Sequence, residues 1–248
     1  MPRPLLGAAA LDQAQEVTTR LDNLVAAREM EVAGKTPSEI RLATGWEKSI
    51  DNKWQYETNT DLDLKEFIVP NKPSATIPLR AVVNFEELQK AYPEVFENTN
   101  IVFTTLNDAA YMAALSKDGT HTIYINKNEV FDNGQISDKP KFVRSIAHEL
   151  QHIVSNIEGF QRGSNLRNAE TRVQQDIDRL KGTTEGREIE RLYNDDKTRG
   201  GLIADYYLRS AGEVQARNVE ERFNLTPAER QSRLLQETED VAPMFSSI

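Results

Sequence analysis

Ser145-Ile-Ala-His148-Glu149-Leu-Gln-His152-Ile-Val-Ser-Asn-Ile-Glu158-Gly-Phe160 is the stretch from which the rest of the chain can be read. It holds two of the chain's three histidines, in the pattern His-Glu-x-x-His. Four residues apart on a helix, His148 and His152 project from one face about a turn apart. Their imidazoles can share one Zn²⁺, and Glu149 between them can act as general base toward a water on that metal. The neighbours support the helix, since Phe142, Val143, Ile146, Ala147, Leu150, Ile153, Val154 and Ile157 recur at steps of three and four. Asp138 and Pro140 predict its start, and Gly159 its end.

Composition narrows the chemistry. With 38% hydrophobic and 28% charged residues, the 248-residue chain has the balance of a soluble globular protein, somewhat polar. A net charge of −9 and a pI near 5.0 argue against electrostatic capture of nucleic acid, so no direct nucleic-acid binding is expected. There is no cysteine, which excludes disulfides and thiolate zinc sites. Any zinc must therefore be held by histidine and carboxylate. No apolar run approaches the roughly 20 residues that cross a bilayer, so no membrane span is expected. The opening ten residues are soon interrupted by Asp12 and do not read as a signal peptide.

Working outward from the motif, residues 10–33 predict a helix ended by Gly34, with Leu11, Val17, Leu21, Leu24 and Val25 on one stripe. Thr36-Pro37-Ser38-Glu39 opens a short helix that Gly45 stops. Trp46 and Trp54 flank an Asp51-Asn52 turn and predict a hairpin whose tryptophans pack in a core. Residues 58–80, with Pro70, Pro73 and Pro78, read as a surface connection wrapping the body. Phe85 to Phe96 reads as helical, with Pro93 ending or kinking it. Residues 101–106 and 120–126 read as neighbouring strands, the second carrying His121 in a packing or surface role. Beyond the motif, 166–181 predicts a charged helix broken by Gly182 and Gly186, followed by a short helical turn from Arg187 to Tyr193. A single long helix is expected from Leu202 to Phe223, and a last one opens at Thr226-Pro227-Ala-Glu229.

A catalytic zinc site has three protein ligands and an open fourth position. Two carboxylates compete for the third place. Glu158 lies six residues after His152, where some zinc peptidases place a ligand after a glycine turn, but position 155 here is serine. Glu213 lies on a separate predicted helix that can cross the first and converge on the metal. Glu213 is the better placed, with Glu158 the alternative. Tyr206 or Tyr207 could steady an oxyanion, and the sequence does not choose between them.

Taken together, His148-Glu-Leu-Gln-His152, Glu158-Gly-Phe160, Gly163-Ser-Asn165 and Gly212-Glu213-Val-Gln-Ala-Arg217-Asn218 resemble the zincin-like metallopeptidase domain of polyvalent proteins of bacteriophages and mobile elements. Ala43-Thr-Gly-Trp46, Lys53-Trp54-Gln-Tyr-Glu57 and Ala91-Tyr-Pro93 resemble segments that precede it. The resemblance spans about residues 36–242 and departs at Gln215, where an acid is more usual. It implies a glutamate-type zincin with Glu213 as third ligand. It also implies an α+β fold in which a small sheet packs on the motif helix. On this reading residues 1–35 form a helical segment, 36–84 a hairpin and wrapping loop, and 85–248 the peptidase domain. The expected activity is zinc-dependent peptide hydrolysis, as an endopeptidase rather than an exopeptidase. The expected substrate is a protein or peptide, and other virion proteins are expected partners. The expected location is the virion or the host cytoplasm. The competing expectation is a virion structural or ejected protein that keeps the fold without turnover.

Overall fold

The computed structural model describes residues 3–7, 17–49, 52–60, 62–105, 111–115, 119–132, 134–158 and 164–241. The expected first turns of the opening helix (residues 10–16), Leu106 and the 159–163 loop, with the expected stop at Gly159, lie outside them. The fold is mixed α+β, as the sequence predicts. No helix among the described residues is long and apolar enough to cross a membrane.

The chain begins with β1 (Arg3–Gly7), α1 (Val17–Val32), α2 (Pro37–Thr44), β2 (Trp46–Lys48) and β3 (Trp54–Thr60). β3 is the central strand of an antiparallel sheet, with β1 on one side and β2 on the other. The predicted hairpin is present, and Asn52 takes the left-handed conformation (φ 62°) that its turn requires. α2 starts on a reciprocal cap between Thr36 and Glu39. It stops at Gly45, whose φ of 78° and 2.6 Å approach to the Tyr56 ring leave no room for a Cβ. Trp46 is fully buried with Leu24, Ala27 and Ile40, whereas Trp54 packs at the margin of that cluster.

Residues 58–80 are more than a wrapping connection. They supply β4 (Leu62–Leu64) and β5 (Ser74–Pro78), which are followed by α3 (Leu79–Val82) and β6 (Val83–Phe85). β4 pairs with β6, and β5 forms one edge of the main sheet. An edge tolerates Pro78, because a proline there removes no interior ladder bond. Pro93 divides the next predicted helix into α4 (Glu86–Ala91) and α5 (Pro93–Asn98). β7 (Thr99–Thr104), β8 (Tyr111–Leu115) and β9 (His121–Asn126) complete the sheet in the order β5-β7-β9-β8. β7 and β9 are parallel, and the two outer pairs are antiparallel. After α6 (Lys127–Val130) and the small ladder of β10 (Phe131–Asp132) with β11 (Gln135–Ile136) comes α7 (Lys139–Ile157).

α7 is the predicted motif helix. Asp138 caps it by accepting from the Lys141 amide, and Pro140 sits in its first turn. Its apolar face (Phe142, Ile146, Leu150, Ile153) is fully buried in one core with Ile101, Phe103, Ile123 and Ile125 of the sheet. Each such side chain contributes about 1.5–3 kcal/mol through burial, which fixes the rotation of α7 and turns the histidines away from the sheet.

The C-terminal half corrects two expectations. α8 (Leu166–Arg179) ends before Gly182, but Gly186 breaks nothing, because it lies inside α9 (Thr184–Asn194). A Cβ at Gly186 would sit 2.2 Å from the Leu180 carbonyl oxygen, so the tight turn between the helices needs glycine there. The expected single helix from Leu202 to Phe223 is two helices, α10 (Asp196–Leu208) and α11 (Ala211–Arg222), broken at Arg209-Ser210. α8, α9 and α10 form a lobe around Ala169, Val173 and Tyr206. α12 (Pro227–Ser232) opens on the predicted Thr226–Glu229 cap.

The sheet of β2 and β3 interlocks with the C-terminal helices. Buried Glu57 of β3 receives Arg222 Nε and Nη2 at 2.8 and 2.7 Å and also pairs with Arg41. Buried Glu47 holds Arg41 and the Leu235 amide. This network ties β2 and β3 to α11.

Candidate metal centre

α7 and α11 pack against each other and run antiparallel, since Ser155 of α7 meets Gln215 while His148 meets Glu220. The break at Arg209-Ser210 lets α11 take this line. The Nε2 atoms of His148 and His152 lie 3.1 Å apart. Glu213 faces both, with Oε2 3.8 Å from His148 Nε2 and Oε1 3.6 Å from His152 Nε2. The three residues form a group able to hold a metal ion, with all contributing atoms within 4.8 Å of one another.

The donor set fits zinc. Two ligands at zinc's usual 2.0–2.1 Å in a tetrahedron are separated by about 3.3 Å; the two nitrogens stand at 3.1 Å, and each has a Glu213 oxygen somewhat farther off, at 3.8 and 3.6 Å. Glu213 is buried and further held by the Ser164 amide on Oε1 (2.9 Å) and the Tyr207 hydroxyl on Oε2 (3.0 Å). Glu149 is buried on α7 between the histidines, close enough for its charge to act on His148 and Tyr207.

The other predicted residues go elsewhere. Glu158 ends α7 and accepts from the Tyr92 hydroxyl at 2.5 Å, outside the metal group. Tyr206 turns into the helical lobe and donates to Asp176 at 3.0 Å, leaving Tyr207 as the tyrosine at the site. His121 is buried in the sheet on β9, as its packing reading predicts. Gln215 bridges Ser155 of α7 and Gln55 of β3, a neutral linkage where an acid was the usual expectation.

Sequence reasoning missed one neighbour. Glu220 Oε1 lies 2.6 Å from His148 Nδ1, the ring nitrogen directed away from the metal group. It follows Glu213 by seven residues, two helical turns, so the period alone places it on the same face of α11.

Residues 7–63 match the family model described as Large polyvalent protein associated domain 23. The match links the chain to polyvalent proteins and takes in Arg41, Glu47, Gln55 and Glu57, but it does not reach α7 or α11. Comparison with curated proteins and with solved structures gives no match.

The carboxylates set the electrostatics of the group. Burial pushes the His148 imidazole down, but the Glu213 and Glu220 carboxylates, with the charge of Glu149, outweigh it and hold it up at about 9. Burial likewise pushes Glu213 up, yet His148, His152 and the Ser164 amide keep it well below the usual carboxylate range. Without metal, a proton on His148 therefore balances the carboxylates. Because the folded pKa is raised, its stabilising effect is complete below the unfolded value near 6.5 and is lost as pH rises through about 9. Metal binding must displace this proton, so affinity is expected to tighten by up to about tenfold per pH unit between pH 6.5 and 8.5. Chelator competition across that range checks it, and a flat profile would show that His148 is already neutral.

Proposed function

We propose that this protein is a zinc-dependent endopeptidase of zincin-like fold, encoded by a bacteriophage or mobile element. The observation that carries the reading is the convergence of His148 Nε2, His152 Nε2 and the Glu213 carboxylate, with buried Glu149 beside them. Bound zinc supplies Lewis-acid polarisation of a scissile carbonyl and a water acidic enough to attack it. Glu149 takes the proton of the attacking water and delivers it to the leaving nitrogen. Tyr207 donates to Glu213 and keeps that carboxylate turned toward the histidines. An extended peptide has a template nearby, because β8 is the edge of the main sheet and packs against α7. The match over residues 7–63 supports the polyvalent setting of the activity.

The test joins metal content to hydrolysis. Wild type is expected to bind one zinc per chain and to cleave members of a broad peptide library. Glu213→Gln is expected to lose most of its zinc affinity, and Glu158→Gln to keep it, read by chelator competition. The reverse ranking would remove Glu213 from the site, and zinc-loaded wild type that cleaves no peptide would overturn the peptidase reading.

A further inference from the structure

The two histidines differ in what holds their rings. An imidazole binds a metal through Nε2 only when its proton sits on Nδ1 and its plane points Nε2 at the ion. A half-turn of the ring puts Cε1 where Nε2 stood and Cδ2 where Nδ1 stood, and destroys the ligand. His152 Nδ1 is buried with no hydrogen-bond partner among the described residues, so that ring is oriented by packing and by its Nε2 contacts with His148 and Glu213. Part of the packing is His148 itself, whose ring meets that of His152 edge-on at 4.8 Å. His148 Nδ1 likewise lacks a hydrogen bond of good geometry among the described residues, but it alone of the two has a carboxylate within ion-pair distance, Glu220 Oε1 at 2.6 Å.

We infer that Glu220 is a positioning residue for the metal centre, holding the His148 ring with its proton on Nδ1 and its Nε2 free for zinc. The inference rests on the zinc reading above. Glu220 cannot itself share the ion with His148 Nε2, because it meets the opposite edge of the ring. Its carboxylate makes no other ion pair among the described residues, and it lies on the wall of a cavity of about 670 Å³ beside Arg144 and Glu221. Arg144, Arg217 and Arg233 line the same cavity, but among the described residues none is within ion-pair distance of Glu220. α11 thus carries both the third ligand and, two turns later, the group that aims the first one. Through the ring contact, fixing His148 also steadies His152. Loss of such a carboxylate typically weakens metal binding 10–100-fold.

The side chain of Glu220 is one-third exposed, so its replacement leaves the core intact. Zinc affinity of the full chain is measured by chelator competition for wild type, Glu220→Ala, Glu220→Gln and Glu221→Gln, with circular dichroism to confirm the fold. Glu220→Ala is expected to bind zinc about 10–100-fold more weakly. Glu220→Gln, which keeps an acceptor oxygen, should lose less, and Glu221→Gln should match wild type. Ring ¹⁵N spectra of the zinc-loaded wild type should show His148 protonated on Nδ1, with that signal broadened in Glu220→Ala. Wild-type zinc binding together with unchanged affinity in Glu220→Ala overturns the assignment alone. A wild type that binds no zinc overturns the zinc reading, and the assignment with it.

Discussion

Glu149→Gln is expected to keep its zinc and its melting temperature while losing peptide cleavage by about 10²–10⁴-fold. The expectation follows from the division of labour along one turn of α7. His148 and His152 direct their nitrogens at Glu213, whereas Glu149 is not a member of that group. Glutamine preserves the shape and the hydrogen-bonding capacity of the buried position, so the fold and the metal have no reason to change. It cannot accept a proton near neutral pH, so the attacking water keeps its proton and the leaving nitrogen receives none. Zinc content by metal analysis, thermal melting and digestion of a peptide library separate the three effects. Undiminished cleavage in Glu149→Gln would remove the general base. Loss of zinc in the same variant would make Glu149 a ligand and redraw the site.

How much of this was legible depended on whether local sequence or tertiary pairing decided each feature. α7 could be read directly, because its cap at Asp138, its apolar period and its two histidines agree on one helix. The capping boxes at Thr36 and Thr226 marked two more helix starts for the same reason. β8 could not be read, since Tyr111-Met-Ala-Ala-Leu115 has no strand alternation and owes its state to pairing with β9. β5 was hidden by the prolines around it, which only an edge position accepts. The break at Arg209-Ser210 carries neither glycine nor proline, so α10 and α11 read as one helix. That break also sets the phase of α10, which is why the sequence could not choose between Tyr206 and Tyr207. Glu213 was legible through ligand chemistry, whereas Glu220 needed the antiparallel placement of α11 on α7.

The last expectation concerns what keeps α11 in that placement. Arg222 is fully buried nine residues beyond Glu213, and both of its bonds to Glu57 are shorter than 3 Å. Arg41 and Arg230 are buried beside it, and Glu47 is the other buried carboxylate of the network. Removing Glu57 would leave three buried guanidinium groups facing one acid. Breaking a buried pair from one side typically costs about 3–5 kcal/mol, because the remaining charge has lost both water and partner. Against a usual total of about 5–15 kcal/mol, Glu57→Ala should lower the denaturant midpoint severely. Glu57→Gln should behave almost as badly, since an amide restores the shape and not the charge. Replacing Glu57 and Arg222 together by leucine and methionine should recover part of the loss, because no uncompensated pair then remains between them. Equilibrium unfolding of the single and double variants measures this. A change within about 1 kcal/mol for Glu57→Ala would show that the carbonyls around Arg222 and Arg230 suffice. Glu57 lies in the stretch matched to the polyvalent-associated domain, and Arg222 on the helix that carries Glu213. A single unfolding transition, with any bound zinc released at its midpoint, is therefore expected, because this network joins β3 to the helix that carries Glu213.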